Sequence, residues 1–230
     1  MIDRFFLDDS LAQGEKIDLP EPEFRHLKVL RIGVGEEIEL VNGRGSLATA
    51  RVERMDKQSA HLKILESKEE PRPTPSISLG LALIRPNRLE WVIEKATELG
   101  ADTIYLYSAD LSEKEGLSPN QKERLQHLAI SALKQCGRLY LPNIELLPSI
   151  DDALSGDHRI LFGDTHPSAP WLSSLPLQSG SLLFITGPEK GFSEREHQLL
   201  HEKGKGVKLS RNILRAETAP IAALSILSCR

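Results

Sequence analysis

Cysteine is almost missing from this chain: among 230 residues there are two, Cys136 and Cys229. Such sparing use points to the reducing cytoplasm, and two cysteines so far apart make no zinc site. The seven histidines show no metal spacing, so no metal is expected. No uninterrupted apolar run approaches the length that spans a bilayer, and no signal-like apolar segment stands at the start. Positive charge is not in excess. A net charge of −4 argues against a surface coated in basic patches, although a local basic stripe still acts within one Debye length. Two familiar phosphate-binding signatures are lacking as well: no loop ends in Gly-Lys-Ser/Thr, and G-x-G-x-x-G does not occur. What is present, 40% hydrophobic and 27% charged residues over this length, is an ordinary globule of one large or two modest domains with ample core.

Residues 1–70 read as short antiparallel strands. Phe24, Leu27 and Leu30 are spaced for one short helix. After it Ile38 and Leu40 alternate with acids, Asn42-Gly43 offers a hairpin turn, and Ala48, Ala50, Val52, Leu62 and Ile64 continue the alternation, as in a small barrel. Arg4, Arg25, His26, Lys28 and Arg31 gather around the helix. They are either a solvated face or contacts for nucleic-acid phosphates.

Pro71, Pro73 and Pro75 make residues 71–76 a stiff extended linker. From residue 77 to 230 strands and helices alternate, which implies a mainly parallel sheet covered on both faces. Strands are expected at Ile77 to Ile84, Thr103 to Tyr107, Ile144 to Leu147 and Arg159 to Phe162. Asn87 and Glu90 read as a capping pair, and Ser118 with Gln121 as the box that opens a long helix ended by Gly137. Near that end Arg138 meets the helix dipole favourably, and Cys136 reads as packing on the apolar face.

The last fifty residues carry the strongest signals. Leu182 to Ile185 is a buried strand that breaks at Gly187-Pro188-Glu189-Lys190-Gly191, and Ser193 with Glu196 caps the next helix. Gly204 and Gly206 stop it, Val207 to Leu209 form a further strand, and a polar loop brings Arg211, Arg215 and Glu217 around Asn212, Ile213 and Leu214. The final helix is apolar on nearly every face (Ile221, Ala222, Leu224, Ile226, Leu227), hence buried in a core or a subunit interface. Ligands of open α/β sheets bind where such loops leave the strands. Spacing alone leaves the Arg and Glu of the second loop open between a surface ion pair and a ligand contact.

GPEKGFSEREHQLL with LSRNILRAETA resembles the RsmE family, which methylates N3 of uridine 1498 in 16S ribosomal RNA; the likeness continues through HLKVLRIGVGEEIEL, LEWVIEKATELGA and QCGR. The resemblance implies a SPOUT methyltransferase domain with a C-terminal trefoil knot, behind a PUA-like RNA-binding barrel. It implies S-adenosyl-L-methionine as cofactor, bordered by Gly163, Gly187, Gly191, Leu209 and Leu214, and 16S rRNA as partner, met by Arg4, Arg25, His26, Arg31 and Arg138. A homodimer is implied too, since SPOUT relatives pair through the knot region. Arg215 is then the group that steadies negative charge developing on the uracil, and Glu217 or Glu189 the acceptor of the N3 proton. Two glycines of the family pattern are replaced, by Lys190 and Ser210. They keep open a SPOUT enzyme acting on another RNA, or a silent RNA-binding or ribosome-assembly protein on the same fold.

Overall fold

The computed structural model describes residues 3–114, 116–176 and 180–229. Its contacts divide the chain into two units, Met1–Arg72 with Leu133–Leu141, and Pro73–Ala132 with Pro142–Arg230. The division crosses the domain limits expected from sequence, because Leu133–Leu141 groups with the first unit.

In the first unit β1 (Arg4–Phe6), β2 (Lys16–Leu19), β3 (Glu37–Val41), β4 (Ser46–Met55) and β5 (Ala60–Glu69) form one sheet in the order β1-β3-β4-β5-β2. All pairs are antiparallel except β1 with β3. The alternation seen in sequence does its expected work: Ile38, Leu40, Ala48, Ala50, Val52, Leu62 and Ile64 all point into one core. Phe24 and Leu27 of α1 (Glu23–Val29) cover that core, whereas Leu30 lies past the helix and is exposed. The turn after β3 is longer than a two-residue hairpin. Asn42 Oδ1 accepts from the amides of Arg44 (2.9 Å) and Ser46 (3.1 Å), and Gly43 and Gly45 take positive φ. The segment Leu133–Leu141 joins this unit through Lys134 Nζ on Glu23 Oε1 (2.6 Å) and Tyr140 Oη on the Glu70 carbonyl (2.6 Å).

The second unit is built on a six-stranded sheet, parallel throughout. It comprises β6 (Ser76–Ala82), β7 (Thr103–Tyr107), β8 (Asn143–Leu147), β9 (Arg159–Gly163), β10 (Ser181–Thr186) and β11 (Lys205–Val207), in the order β11-β9-β10-β6-β7-β8. Its central strands are apolar on both faces, as a parallel sheet under helices requires. The helices are α2 (Pro86–Glu98), α3 (Pro119–Cys136), which ends in the first unit, the short α4 (Ile150–Ala153), α5 (Glu194–Lys203) and α6 (Thr218–Ser228). Tyr107 is wholly buried and donates its hydroxyl to the Thr186 carbonyl (2.9 Å), which fixes the end of β10; burial pushes its pKa well up.

Several local expectations are corrected. Asn87 and Glu90 do not cap α2: Arg85 stands at its N-cap, Pro86 opens it, and Glu90 instead makes a two-bonded pair with Arg124 (2.5 and 2.8 Å). That guanidinium holds the Glu90 carboxyl below the usual range. The strand expected at Val207 to Leu209 ends at Val207, because Lys208 leaves β9 to exchange main-chain bonds with Pro170 and Leu172 (2.8 and 2.9 Å). Gly206 therefore lies inside a strand rather than at a helix end. Cys136 is exposed, not packed. The final helix is buried on one face only, through Pro220, Ala223, Leu224 and Leu227, while Ile221, Ala222 and Ile226 are half-exposed. The Ser193–Glu196 and Ser118–Gln121 caps are present as expected. Glu196 is fully buried and also accepts from the Asp110 amide (3.0 Å).

Candidate active site

Because the sheet is parallel, β9, β10 and β11 deliver their carboxyl ends to one edge, and three loops meet there. They enclose a cleft of about 840 Å³. Gly163, Gly187 and Gly191 are among the residues that line it. A Cβ on Gly163 would point into open space, with no heavy atom within 4 Å. Gly191 has φ +78°, which disfavours any side chain, and a Cβ on Gly187 would press on the Phe192 ring at 3.2 Å. Leu209 and Leu214, both half-buried, add apolar wall.

The two replaced glycines do not block this cleft. Lys190 is exposed, is not among the lining residues, and takes no positive φ; Arg31 (φ +61°) is the one non-glycine that does among the described residues. Ser210 does line the cleft. Its hydroxyl accepts from the Asn212 amide (3.2 Å) and so braces the loop. A silent protein is favoured only by these two positions, and nothing in their geometry supports it.

Charged side chains, among them Arg88, Glu189 and Arg215, line the cleft. Arg215 is exposed and lines the cleft, and its guanidinium has no partner among the described residues. Its main chain is nonetheless fixed, because its carbonyl accepts from the amides of Thr218 (2.9 Å) and Ala219 (3.0 Å) and so opens α6. Glu217 stands at the N-cap of α6, but its side chain makes no cap hydrogen bond. Its Oε2 is 3.3 Å from Nη1 of Arg88, and the same nitrogen lies 3.8 Å from Oε1 of Glu189. The three side chains are 28% (Arg88), 15% (Glu217) and 29% (Glu189) exposed, a part-buried cluster of one cation between two anions.

Arg88 is absent from the residues expected from sequence. It stands in the first turn of α2, where the helix dipole disfavours a cation, and that cost is the signal that a distant acid offsets it. His197 and His201 are absent too. They lie one turn apart on α5, and their ring nitrogens come within 4.8 Å of one another and of an Asp164 carboxylate oxygen. This corrects the expectation that no histidines have metal spacing.

The residues expected to meet RNA lie in the first unit and are not equally free. Arg4 is tied to Glu39 by two bonds (2.9 and 2.6 Å). Arg25 is exposed, with a 3.4 Å pair to Glu21 one turn away. His26 is exposed and sets its ring edge-on to Phe5, Arg31 is exposed just past α1, and Arg138 is half-buried.

A parallel sheet with a cleft at three strand ends, in a chain that also carries a small separate β-unit, has the form of a two-part protein that binds a small ligand at the carboxyl edge of its sheet. Comparison with known proteins agrees. The profile of an RNA methyltransferase domain matches residues 70–228, and that of an RNA methyltransferase PUA domain matches 19–65. Ribosomal RNA small subunit methyltransferase E of Rickettsia conorii is 29% identical over 96% of this chain and 93% of its own length. The protein of that name from Aquifex aeolicus is 29% identical over 94% and 95%. The crystal structure of the Neisseria gonorrhoeae enzyme of the same name, bound to S-adenosyl methionine, superposes with a TM-score of 0.90 at 30% identity and covers 100% of this chain and 98% of that one. The chain belongs to the RNA methyltransferase family, in its small-subunit ribosomal RNA methyltransferase E branch.

Proposed function

We propose that this protein transfers a methyl group from S-adenosyl-L-methionine to N3 of uridine 1498 in 16S rRNA. The observation that carries the reading is the cleft itself, where main chain at Gly163, Gly187 and Gly191 adjoins the Glu189–Arg88–Glu217 cluster and an Arg215 whose guanidinium has no partner among the described residues. Its volume suits a ligand of cofactor size, and main-chain amides and carbonyls suit an adenine edge. When bound, the cofactor supplies an electrophilic methyl on a sulfonium, so the protein's share is positioning and charge. Holding uracil in line is worth about 7–11 kcal/mol. The N3 proton passes to a carboxylate as N3 gains the methyl, and the charge spreading to the uracil oxygens faces Arg215. Glu189 is the better acceptor of the pair. Its tie to Arg88 is beyond hydrogen-bond length, whereas Glu217 holds Arg88 more closely and positions it. Methyl label supplied on the cofactor is expected to enter 16S rRNA when purified protein is added to unmodified small subunits; label confined to other RNAs would overturn the substrate.

The first unit is the RNA-gripping part in this reading. Changing Arg25 and Arg31 to alanine is expected to weaken binding and to flatten the salt dependence by about 0.7–0.9 log unit for each phosphate no longer neutralised, with cofactor affinity unmoved. An unchanged slope would return both to a solvated face.

The protein acts as a cytoplasmic homodimer in this proposal. The half-exposed Ile221, Ala222 and Ile226 form the apolar surface that a second copy would cover, and Ile213, 85% exposed, is a further apolar side chain open to it. Leu224 is no probe of that face, being fully buried within its own chain. Ile226→Asp is the better one: light scattering should show a dimer in the parent and a monomer in the variant, and a monomeric parent would remove the dimer. We also assign the C-terminal path to a trefoil knot, supported by β11 lying outermost while α6 returns to pack on β10 and β6. A traced chain with α6 outside the loop between β9 and β10 would remove it.

A further inference from the structure

We propose that Asp164, His197 and His201 form a binding site for a divalent transition-metal ion of the zinc class, beside the cofactor cleft and separate from the methyl-transfer groups. The two histidines are four residues apart on α5, so they share one face. Their ring centroids are 4.5 Å apart, and Phe162 sets an edge against each, at 6.1 and 5.0 Å. Asp164 follows the last residue of β9, and its carboxylate Oδ2 lies 3.9 Å from His201 Nε2. The ligand-capable atoms of all three residues fall within 4.8 Å of one another. Ligands of a tetrahedral ion with bonds of about 2.0–2.2 Å sit roughly 3.4 Å apart, so small side-chain rotations suffice.

The aspartate is held for this role. Its side chain is only 7% exposed. Its amide donates to the Val207 carbonyl (2.9 Å), and its Oδ1 accepts from the His166 amide (2.8 Å), which leaves Oδ2 toward the histidines. That outer bond is the kind that orients a metal-ligating carboxylate. Gly206 supplies the room, since a Cβ there would lie 2.9 Å from the Asp164 Cβ and collide with the carboxylate.

Two imidazoles and one carboxylate favour zinc, nickel or cobalt over magnesium or calcium, which prefer all-oxygen shells. Three protein ligands leave one coordination position open. Because Asp164 and His197 also line the cleft, an ion held here would clamp the end of β9 to α5 along the cleft wall. The simpler alternative is a plain His201–Asp164 ion pair with no ion bound.

The test is a calorimetric titration of chelator-treated full-length protein with zinc chloride near neutral pH. The expected result is one ion per chain and a rise in melting temperature with zinc. His201→Gln and Asp164→Asn, each checked for folding by circular dichroism, are expected to weaken binding by roughly 10- to 100-fold or more. His127→Gln, at an exposed position on α3, should leave it unchanged. Cobalt(II) in place of zinc should give visible absorption bands of a low-coordinate nitrogen–oxygen site in the parent and lose them in His201→Gln. Absence of stoichiometric binding, or binding that both substitutions leave untouched, would overturn the site.

Discussion

Arg215→Ala is expected to lower turnover by about 10²–10³-fold while cofactor affinity stays at the parent value. Among the described residues, Arg215 is held through its main chain alone. Its carbonyl starts α6, so the main chain survives truncation of the side chain, and its guanidinium has no partner among the described residues that the change would strand. Stability should therefore barely move. What disappears is a cation aimed at the cleft, needed mainly as charge develops on the uracil, so kcat falls and calorimetry with the cofactor does not change. Near-parental turnover would take Arg215 out of the mechanism. A parallel loss of cofactor binding would move it into the cofactor site instead.

Glu189→Gln and Glu217→Gln should fail in different ways. Both remove one anion from Arg88, but only the 3.3 Å contact to Glu217 is within hydrogen-bond reach. Glu189→Gln is expected to cost about 10²–10⁴ in rate and to recover partly at high pH, where uracil N3 ionises unaided. Glu217→Gln is expected to lose about 1–2 kcal/mol of stability, between the limits for exposed and buried pairs, with no rescue by pH. Adding Arg88→Ala to Glu217→Gln should then cost little more than either change alone, since both break the same ion pair. Rescue of Glu217→Gln rather than Glu189→Gln would exchange their roles.

Much of this site could be read from the chain because its signals are local. The apolar run of β10, the glycines after it and the Ser193–Glu196 box lie close together in sequence, and each follows from turn chemistry or capping. The barrel-like core was legible for the same reason, as alternation along β3, β4 and β5. What was not legible is non-local. Arg88 reaches Glu217 across 129 positions, and no spacing rule links them. Leu133–Leu141 joins the first unit although it follows the linker, because Lys134 and Tyr140 find partners at Glu23 and Glu70. The histidine pair is a different kind of miss. His197 and His201 carry a readable one-turn spacing, but Asp164, which gives it meaning, arrives from a separate strand.

This cleft is proposed to methylate one atom of one nucleotide. The most direct measurement is mass spectrometry of 16S rRNA from small subunits that lack the modification, taken before and after incubation with the protein and its cofactor. The expected result is a single added methyl, mapped to N3 of uridine 1498 and missing when Arg215→Ala protein is used. A methyl at another nucleotide or another ring atom, or none at all, would contradict the account.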